Sequence, residues 1–281
     1  MPESLDPGLY RDLVRRALAE DLGPGDITTD AIVPPDVRAR AILLAKSACV
    51  VAGLDVAFEV FHQIDAAAII TASKHDGDLC RSGEILAEII GSAAALLKAE
   101  RTALNVLQHL SGIATLTRRF VDASDGAVTI LDTRKTVPTL RALAKYAVRC
   151  GGGTNHRVGL YDGVLIKDNH IQIAGGIAEA VRRVRARTDL TVEVEAQSLV
   201  EVVEALGARA DVIMLDNLTD DEMREAVMTI NGRARIEVSG GMTLGRLRAL
   251  ITLGADCVSV GALTHSAPAA DISLDIEVIR T

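Results

Sequence analysis

The sequence contains no tryptophan and few other aromatic residues. Three tyrosines and three phenylalanines make up 2% of its 281 residues. Proteins that hold single-stranded nucleic acid stack the bases on aromatic rings, and this chain has too few rings for such a surface. The net charge of −8 also disfavours binding to a nucleic-acid phosphate backbone. We therefore predict no nucleic-acid partner and a core built from aliphatic side chains.

The sequence also lacks a hydrophobic run of the roughly 18 residues that a membrane-spanning helix requires. Its first residues, MPESLDPGLYRDL, lack the basic start and apolar stretch of an export signal. The cysteines form no C-x-x-C pair and have no histidine at zinc-binding spacing; they are Cys49, Cys80, Cys150 and Cys257. We expect a soluble cytoplasmic protein without a membrane partner, in which the cysteines are small buried hydrophobic residues.

One stretch, residues 131–170, reverses the charge of the chain. It carries seven Lys or Arg residues and three acids, so its formal balance is +4 in a chain of net charge −8. Clustered like charges repel at close range unless an anion lies among them. The stretch therefore predicts a site for a small molecule with several negative charges.

The N-terminal part of the chain mixes strand and helix patterns. Helix patterns occupy residues 7–22, about 54–63 and about 92–124. Short β-branched runs within 37–53 and 65–90, separated by glycine turns, predict mostly antiparallel strands. The polar residues 26–30 indicate a loop. Together these patterns predict a small α+β unit.

The pattern becomes regular after residue 127, where strands alternate with helices. Apolar β-rich runs lie at 128–131, 163–166, 191–195, 211–215, 235–238 and 257–260. Helix patterns lie at 138–150, 176–187, 198–207, 220–230 and 243–253. Such alternation predicts right-handed parallel βαβ units. The count of strands alone fits either an open sheet or a barrel.

Each of the six runs ends in polar, charged or glycine-rich residues. In a barrel these endings converge on one rim, whereas in an open sheet they spread along an edge. Since only a rim lets one ligand use all six endings, they favour the barrel. Glu195 and Asp216, at two of the endings, are oxygen ligands suited to Mg²⁺, or else partners of nearby Lys or Arg side chains.

Two further endings are suited to phosphate. Residues 239–243 precede a helix, so their backbone N–H groups can point at an anion, and residues 261–264 offer a second such turn. His156 and His170 are candidate bases or metal ligands, or hydrogen-bonded structural residues. No nucleophile elbow or His-paired cysteine is evident. The pattern therefore favours charge stabilisation over covalent catalysis.

Motifs along nearly the whole chain resemble the quinolinate phosphoribosyltransferase family, also called nicotinate-nucleotide pyrophosphorylase (carboxylating). The motifs are E-D-L-G-x-G-D-I-T-T (20–29), E-R-T-A-L-N (100–105), D-T-R-K-T-x-P (132–138), K-Y-A-V-R-C-G-G-G-x-N-H-R (145–157), G-L-x-D-x-x-L-I-K-D-N-H (159–170), E-V-E (193–195), I-M-L-D-N (213–217), S-G-G (239–241) and S-V-G-A-L-T-H-S (259–266). The resemblance implies an N-terminal open α/β sandwich, residues 1–110 joined by 267–281. It also implies a C-terminal, incomplete, seven-stranded α/β barrel, residues 111–266.

The resemblance also implies an activity and partners. The family transfers phosphoribosyl from phosphoribosyl pyrophosphate to quinolinate with loss of CO₂, giving nicotinate mononucleotide and pyrophosphate for NAD biosynthesis. It uses Mg²⁺ and no organic cofactor. The resemblance implies a homodimer in which the sandwich of one subunit covers the barrel mouth of the other. Arg101 would then complete the neighbour's site.

The remaining motif residues acquire roles from the same resemblance. The quinolinate carboxylates would be held by Arg134, His156, Arg157 and Lys167. Lys135 would lie between the two substrates and act in catalysis with Glu195 and Asp216, which would also serve Mg²⁺ and the ribose. The 5′-phosphate would be taken by Ser239, Gly240, Gly241 and Gly261.

One position departs from the family pattern, and two other functions stay open. Family members often carry an acid two residues after the second Glu of E-V-E, where this chain has Gln197, so metal affinity is expected to change if that acid supports the ion. A related phosphoribosyltransferase, or the similar molybdenum-transport-associated protein, would take another acceptor, but the intact string 167–170 counts against it. A non-catalytic sensor of nucleotides or sugar phosphates would tolerate the loss of Glu195 and Asp216, which are both present.

Overall fold

The computed structural model describes residues 4–280. Its helices are, in chain order, α1 (Arg11–Leu22), α2 (Ile27–Ile32), α3 (Leu54–Ile64), α4 (Ala93–Ser124), α5 (Arg141–Cys150), α6 (Asp168–Ala174), α7 (Ile177–Arg185), α8 (Leu199–Gly207), α9 (Asp220–Ile230), α10 (Leu244–Leu250) and α11 (Ala262–His265). Its strands are β1 (Arg38–Ala45), β2 (Cys49–Val50), β3 (Ile69–Ala72), β4 (Leu79–Cys80), β5 (Ile85–Ser92), β6 (Thr129–Leu131), β7 (Val164–Ile166), β8 (Val192–Ala196), β9 (Val212–Asp216), β10 (Arg235–Ser239), β11 (Cys257–Ser259) and β12 (Ile272–Val278). Within this described part, no helix is both long and apolar enough to cross a lipid bilayer.

The chain divides into two compact units. The first comprises the residues up to Arg118, Pro138–Gly152 and the residues from Ala267 onward. The second comprises Arg119–Val137 and Gly153–Ser266. The domain bounds expected from the sequence, 1–110 with 267–281 and 111–266, stay a prediction.

The first unit is built on an antiparallel sheet in the order β12-β1-β5-β3. Every second residue of β1, from Ala39 to Ala45, is buried, which is the alternation of a strand with one face on a core. The C-terminal segment is tied to α4, because the Gln108 side-chain amide donates to the Ile272 carbonyl at 2.7 Å. At Gly112 the two segments approach so closely that a Cβ would lie within 3.0 Å of the Pro268 backbone. This unit matches the expected N-terminal α/β sandwich.

The second unit is the incomplete α/β barrel. Its strands are all parallel and follow the order β6-β11-β10-β9-β8-β7. Within residues 4–280 this sheet has six strands, whereas the resemblance implies seven. Beyond β6, Thr154 makes a single parallel bridge to Leu131. The chain at Thr154 therefore meets the edge of the sheet at one residue and forms no further strand there.

Three local expectations differ from the structure. Residues 26–30 are no loop: Asp26 accepts hydrogen bonds from the backbone N–H groups of Thr28 and Thr29 and so caps α2. α5 begins at Arg141 and not at Pro138, since Thr139 has φ +70° and cannot continue a helix. The K-D-N-H string leads into a helix, α6, that the sequence patterns did not predict.

Other local expectations are confirmed. The predicted long helix is α4, and the six predicted strand runs of the C-terminal half are β6 to β11. The cysteines Cys49, Cys80, Cys150 and Cys257 are all buried free thiols. Burial raises the pKa of Cys80 to about 11 and the pKa of Cys150 to about 12, so these thiols have little nucleophilic character.

Candidate active site

A cavity of about 460 Å³ lies in the second unit, where its strands end. It is lined by ten residues that the sequence reading singled out: Arg134, Lys135, His156, Arg157, Lys167, Glu195, Asp216, Ser239, Gly240 and Gly241. Thr133, Leu165, Met214, Asn217 and Ser259 complete its wall. Gly261 lies beside it, since a Cβ there would be 3.2 Å from Cδ of Lys135. Arg101 belongs to the first unit, where it is exposed on α4.

Strand register explains how residues distant in sequence reach this cavity. Side chains alternate between the two faces of a strand, so residues two apart share a face. On β8 these are Glu193 and Glu195; Glu195 pairs with Met214 of β9, and Asp216 pairs with Ser239 of β10. On this face Glu195, Asp216 and Ser239 lie at the ends of their strands, and Glu193 lies one step deeper on β8.

Cationic side chains form one side of the cavity. The Arg157 guanidinium is partly buried, and that burial together with the nearby charge of Arg134 lowers its pKa, while Glu193 and Asp162 act in the opposite direction. Two guanidinium groups placed so close repel each other unless an anion is shared between them. Their forked N–H groups match a carboxylate. This pair is suited to hold a dicarboxylate.

Lys135 is fixed through its backbone. Its N–H donates to Thr133 Oγ1 at 3.0 Å, and its carbonyl accepts from Thr264 Oγ1 at 2.8 Å. Its side chain passes Gly261, where any larger residue would have to displace it. The Lys135 side chain is exposed and carries a positive charge at the cavity wall.

Acidic groups at the ends of β8 and β9 form the other side. The Lys167 ammonium makes an ion pair with Glu195 Oε2, and Gln197 Nε2 donates to Glu195 Oε1 at 3.5 Å. Asp216 Oδ2 accepts from Asn217 Nδ2 at 2.8 Å. The two carboxylates keep further oxygen lone pairs for a cation. This oxygen donor set fits Mg²⁺, which takes one or two carboxylates and completes its shell with water and phosphate.

A glycine turn follows β10. Gly240 and Gly241 have φ +95° and +55°, a region that favours glycine. A Cβ on Gly240 would come within 3.0 Å of the Asn217 side chain. Arg246 braces the turn by donating to the carbonyls of Gly240 at 2.7 Å and Leu218 at 3.1 Å. Sequence reasoning missed Arg246, because an arginine on a helix looks like any solvated side chain.

The two candidate histidines differ in their surroundings. Nδ1 of His170 accepts from the Lys167 backbone N–H at 3.0 Å, at the start of α6, which makes His170 a structural cap. Nε2 of His156 lies 3.0 Å from Glu193 Oε2 and 3.6 Å from Glu237 Oε2. Sequence reasoning missed Glu237; the only available signal was a lone acid inside an apolar strand run.

A buried aspartate holds the loop that carries His156. Asp132 is fully buried and accepts from the His156 backbone N–H at 2.9 Å and from Asn155 Nδ2 at 2.7 Å. The D-T-R-K and N-H-R motifs are thus joined in space by their first residues. Arg134 and Arg157, which follow these residues in the two motifs, both line the active-site cavity.

Family models match almost the entire chain. The N-terminal domain of quinolinate phosphoribosyl transferase matches residues 26–111, and its C-terminal domain matches residues 113–275. The chain belongs to the quinolinate phosphoribosyltransferase family. Sequence relatives agree with this family. A probable nicotinate-nucleotide pyrophosphorylase [carboxylating] of Bacillus subtilis is 44% identical over 269 residues, covering 95% of this chain and 93% of the relative. The nicotinate-nucleotide pyrophosphorylase [carboxylating] of Mycobacterium leprae is 44% identical over 275 residues, covering 95% and 96%.

Solved structures of the family share the fold. The NadC structure from Streptococcus pyogenes has a TM-score of 0.94 at 42% identity and covers 99% of this chain and 100% of its own. The nicotinate-nucleotide pyrophosphorylase of Francisella tularensis has a TM-score of 0.93 at 39% identity and covers 98% of each chain. The sandwich-plus-barrel fold expected for a quinolinate phosphoribosyltransferase is confirmed by these neighbours.

Proposed function

We propose that this protein transfers phosphoribosyl from phosphoribosyl pyrophosphate to quinolinate with loss of CO₂, as one step of NAD biosynthesis. The products are nicotinate mononucleotide, pyrophosphate and CO₂. One observation carries the proposal: in a chain of this family, one cavity is lined by an arginine pair, two carboxylates and a glycine turn. These three features match the carboxylates of the acceptor, the ribose with its metal, and the 5′-phosphate.

The quinolinate end of the cavity is assigned to cations. Arg134 and Arg157 hold the two carboxylates through guanidinium forks, with His156 and Lys167 beside them. Burial, and next the charge of Arg134, lower the pKa of Arg157, and a dianion that enters relieves the repulsion between the two arginines. Lys167 also neutralises Glu195, so that the carboxylate does not repel the substrate.

The ribose phosphate end is assigned to Ser239, Gly240, Gly241 and Gly261. Backbone N–H groups of glycine turns can point together at a phosphate, and the absence of side chains lets it approach. Arg246 fixes the carbonyl side of this turn. Lys135, placed next to Gly261, lies where it can stabilise charge that develops on the leaving pyrophosphate.

Glu195 and Asp216 are the residues that would hold Mg²⁺, which would supply charge stabilisation to the pyrophosphate. As pyrophosphate leaves, the anomeric carbon gains positive character and the pyridine nitrogen attacks it. When the neighbouring carboxylate departs as CO₂, the bonding electron pair stays on the ring carbon, where the positive charge of the quaternised nitrogen stabilises it, and a proton from water then converts that carbon to C–H. Gln197 donates to Glu195, so the proposed metal set here consists of two carboxylates.

The proposal includes a homodimer. Arg101 lies exposed on α4, in the first unit, and belongs to the E-R-T-A-L-N motif. In a dimer it adds one more cation to the quinolinate subsite of the neighbouring subunit. The cytoplasmic location expected from the sequence stays a prediction.

A comparison of acceptors tests the function. Purified protein is incubated with phosphoribosyl pyrophosphate and either quinolinate or nicotinate, and nicotinate mononucleotide is quantified by chromatography. Quinolinate is expected to be used faster, because two carboxylates are needed to engage the arginine pair. The Lys135→Ala protein controls for contaminating activity. Faster turnover with nicotinate would assign this cavity to a different acceptor.

A further inference from the structure

A second, open cavity of about 520 Å³ lies in the second unit, where its strands begin. Glu193 and Glu237 line this second cavity and do not line the active-site cavity, whereas His156 and Arg157 line both. His156 therefore forms part of the wall between the two spaces. The two glutamates can therefore affect a substrate in the active-site cavity only through residues that line both cavities, such as His156.

The ring of His156 is bonded on both sides by protein groups. Nδ1 accepts from the Arg157 backbone N–H at 2.7 Å, so Nε2 carries the hydrogen in the neutral ring. Nε2 then donates to Glu193 Oε2 at 3.0 Å, with Glu237 Oε2 at 3.6 Å. The orientation of the His156 ring is thus set by the Arg157 backbone N–H at one nitrogen and by the Glu193 carboxylate at the other.

Glu237 is the anchored member of this cluster. Its side chain is almost fully buried, Oε1 accepts from Ser259 Oγ, and its backbone lies in the middle of β10. Glu193 is 6% exposed, and its Oε1 has no hydrogen-bond partner among residues 4–280. The ligand atoms of His156, Glu193 and Glu237 all lie within 4.8 Å of one another. Two carboxyl groups so close are stable when one of them is neutral and can donate to the other.

We propose that Glu237 is a positioning residue of the quinolinate subsite: from behind the active-site wall it holds Glu193 and, through it, the ring of His156. The proposal rests on the function proposed above and names a residue that does not touch substrate. Burial, and next the charge of Glu193, raise the pKa of Glu237 to about 7, which agrees with a neutral carboxyl. Loss of Glu237 removes the group that faces the Glu193 carboxylate and so loosens the contact of Glu193 with His156 Nε2.

The test compares two replacements. Glu237→Gln keeps the shape and the ability to donate to Glu193, whereas Glu237→Leu keeps only the volume. Glu237→Leu is expected to raise KM for quinolinate about 10-fold or more and to leave KM for phosphoribosyl pyrophosphate within about 2-fold. Glu237→Gln is expected to stay within about 3-fold of the original protein for both. A Gln variant as impaired as the Leu variant would overturn the proposal.

A matched control separates positioning from lost stability. Val238→Ala alters the next residue of β10, whose buried side chain points to the opposite face. It is expected to lower the unfolding temperature and to leave KM for quinolinate unchanged. An equal rise of KM in Val238→Ala would mean that any loosening of β10 has this effect, which contradicts a specific role for Glu237.

A spectroscopic measurement tests the role of Glu237 independently of which acceptor the enzyme uses. Histidine ring ¹⁵N signals report which nitrogen carries the hydrogen, and the His156 signal is assigned as the one missing in His156→Asn. The Nε2–H form is expected in the original protein and in Glu237→Gln, and a changed pattern in Glu237→Leu. Identical His156 signals in all three proteins would overturn the inference even if quinolinate is the substrate. The expected signals would support it even if another acceptor is used.

Discussion

Replacing Glu237 with Gln should change how the stability of the protein depends on pH. Glu237 is 2% exposed, and burial together with the charge of Glu193 raises its pKa from the ordinary value of 4.5 to about 7. Between these two values the folded protein keeps a proton that the unfolded chain has lost. The free energy of unfolding therefore falls as pH rises through this window. Above the window, Glu237 causes no further fall.

The size of the effect follows from the width of the window. Each pH unit corresponds to about 1.4 kcal/mol per proton, so the ionisation of Glu237 lowers the free energy of unfolding by about 3 kcal/mol between pH 5 and pH 8. Glutamine does not ionise and keeps the side-chain shape. The Glu237→Gln protein should consequently gain about 3 kcal/mol relative to the original protein over this range.

Urea unfolding followed by circular dichroism at pH 5 and pH 8 measures this difference. Glu225→Gln, the same replacement at an exposed position of α9, is the matched control, and the two variants are compared with each other. Parallel stability profiles for Glu237→Gln and the original protein would refute the reasoning. They would mean that Glu237 ionises in the folded state as readily as in the unfolded chain.

Three further predictions concern activity. Lys135→Ala should lower kcat by about 10²-fold or more while changing substrate KM values less, since the lysine acts on developing charge; stopped-flow or steady-state kinetics would show an unchanged kcat if this is wrong. Gly240→Ala should raise KM for phosphoribosyl pyrophosphate about 10-fold or more because its Cβ would strike Asn217, whereas Gly245→Ala should not, because its Cβ would lie at an ordinary 3.9 Å from Thr243 Oγ1. Equal KM values in both proteins would contradict the phosphate assignment. Arg101→Ala should be inactive alone and regain activity when mixed with Lys135→Ala, because hybrid dimers contain one intact site; no recovery despite subunit exchange shown by mass spectrometry would exclude a shared site.

Much of the barrel could be predicted from local patterns. The strands β6 to β11 are short apolar runs separated by amphipathic helices, and parallel strands put their carboxyl ends on one side. That rule alone gathers Lys167, Glu195, Asp216 and Ser239 at one cavity. Their roles toward particular substrates came from the family resemblance, since charge and position do not identify an acceptor.

Contacts between distant segments could not be predicted in the same way. The contact of His156 with Glu193 joins residues 37 apart in sequence, and it depends on the register of β8 against its neighbours. Arg246 braces the phosphate turn through two backbone carbonyls that no motif marks. The cap by Asp26 was a local signal of the kind that precedes helices, and reading the segment as a polar loop overlooked it.

The most direct test of the account is the stoichiometry of the reaction. Quinolinate labelled in the carboxyl group next to the ring nitrogen is incubated with phosphoribosyl pyrophosphate, with and without Mg²⁺, and released CO₂ and pyrophosphate are both counted. The account predicts one CO₂ for each pyrophosphate, with both released only when Mg²⁺ is present. Pyrophosphate without CO₂ would contradict quinolinate as the acceptor, and the absence of both products with Mg²⁺ present would contradict catalysis by this cavity.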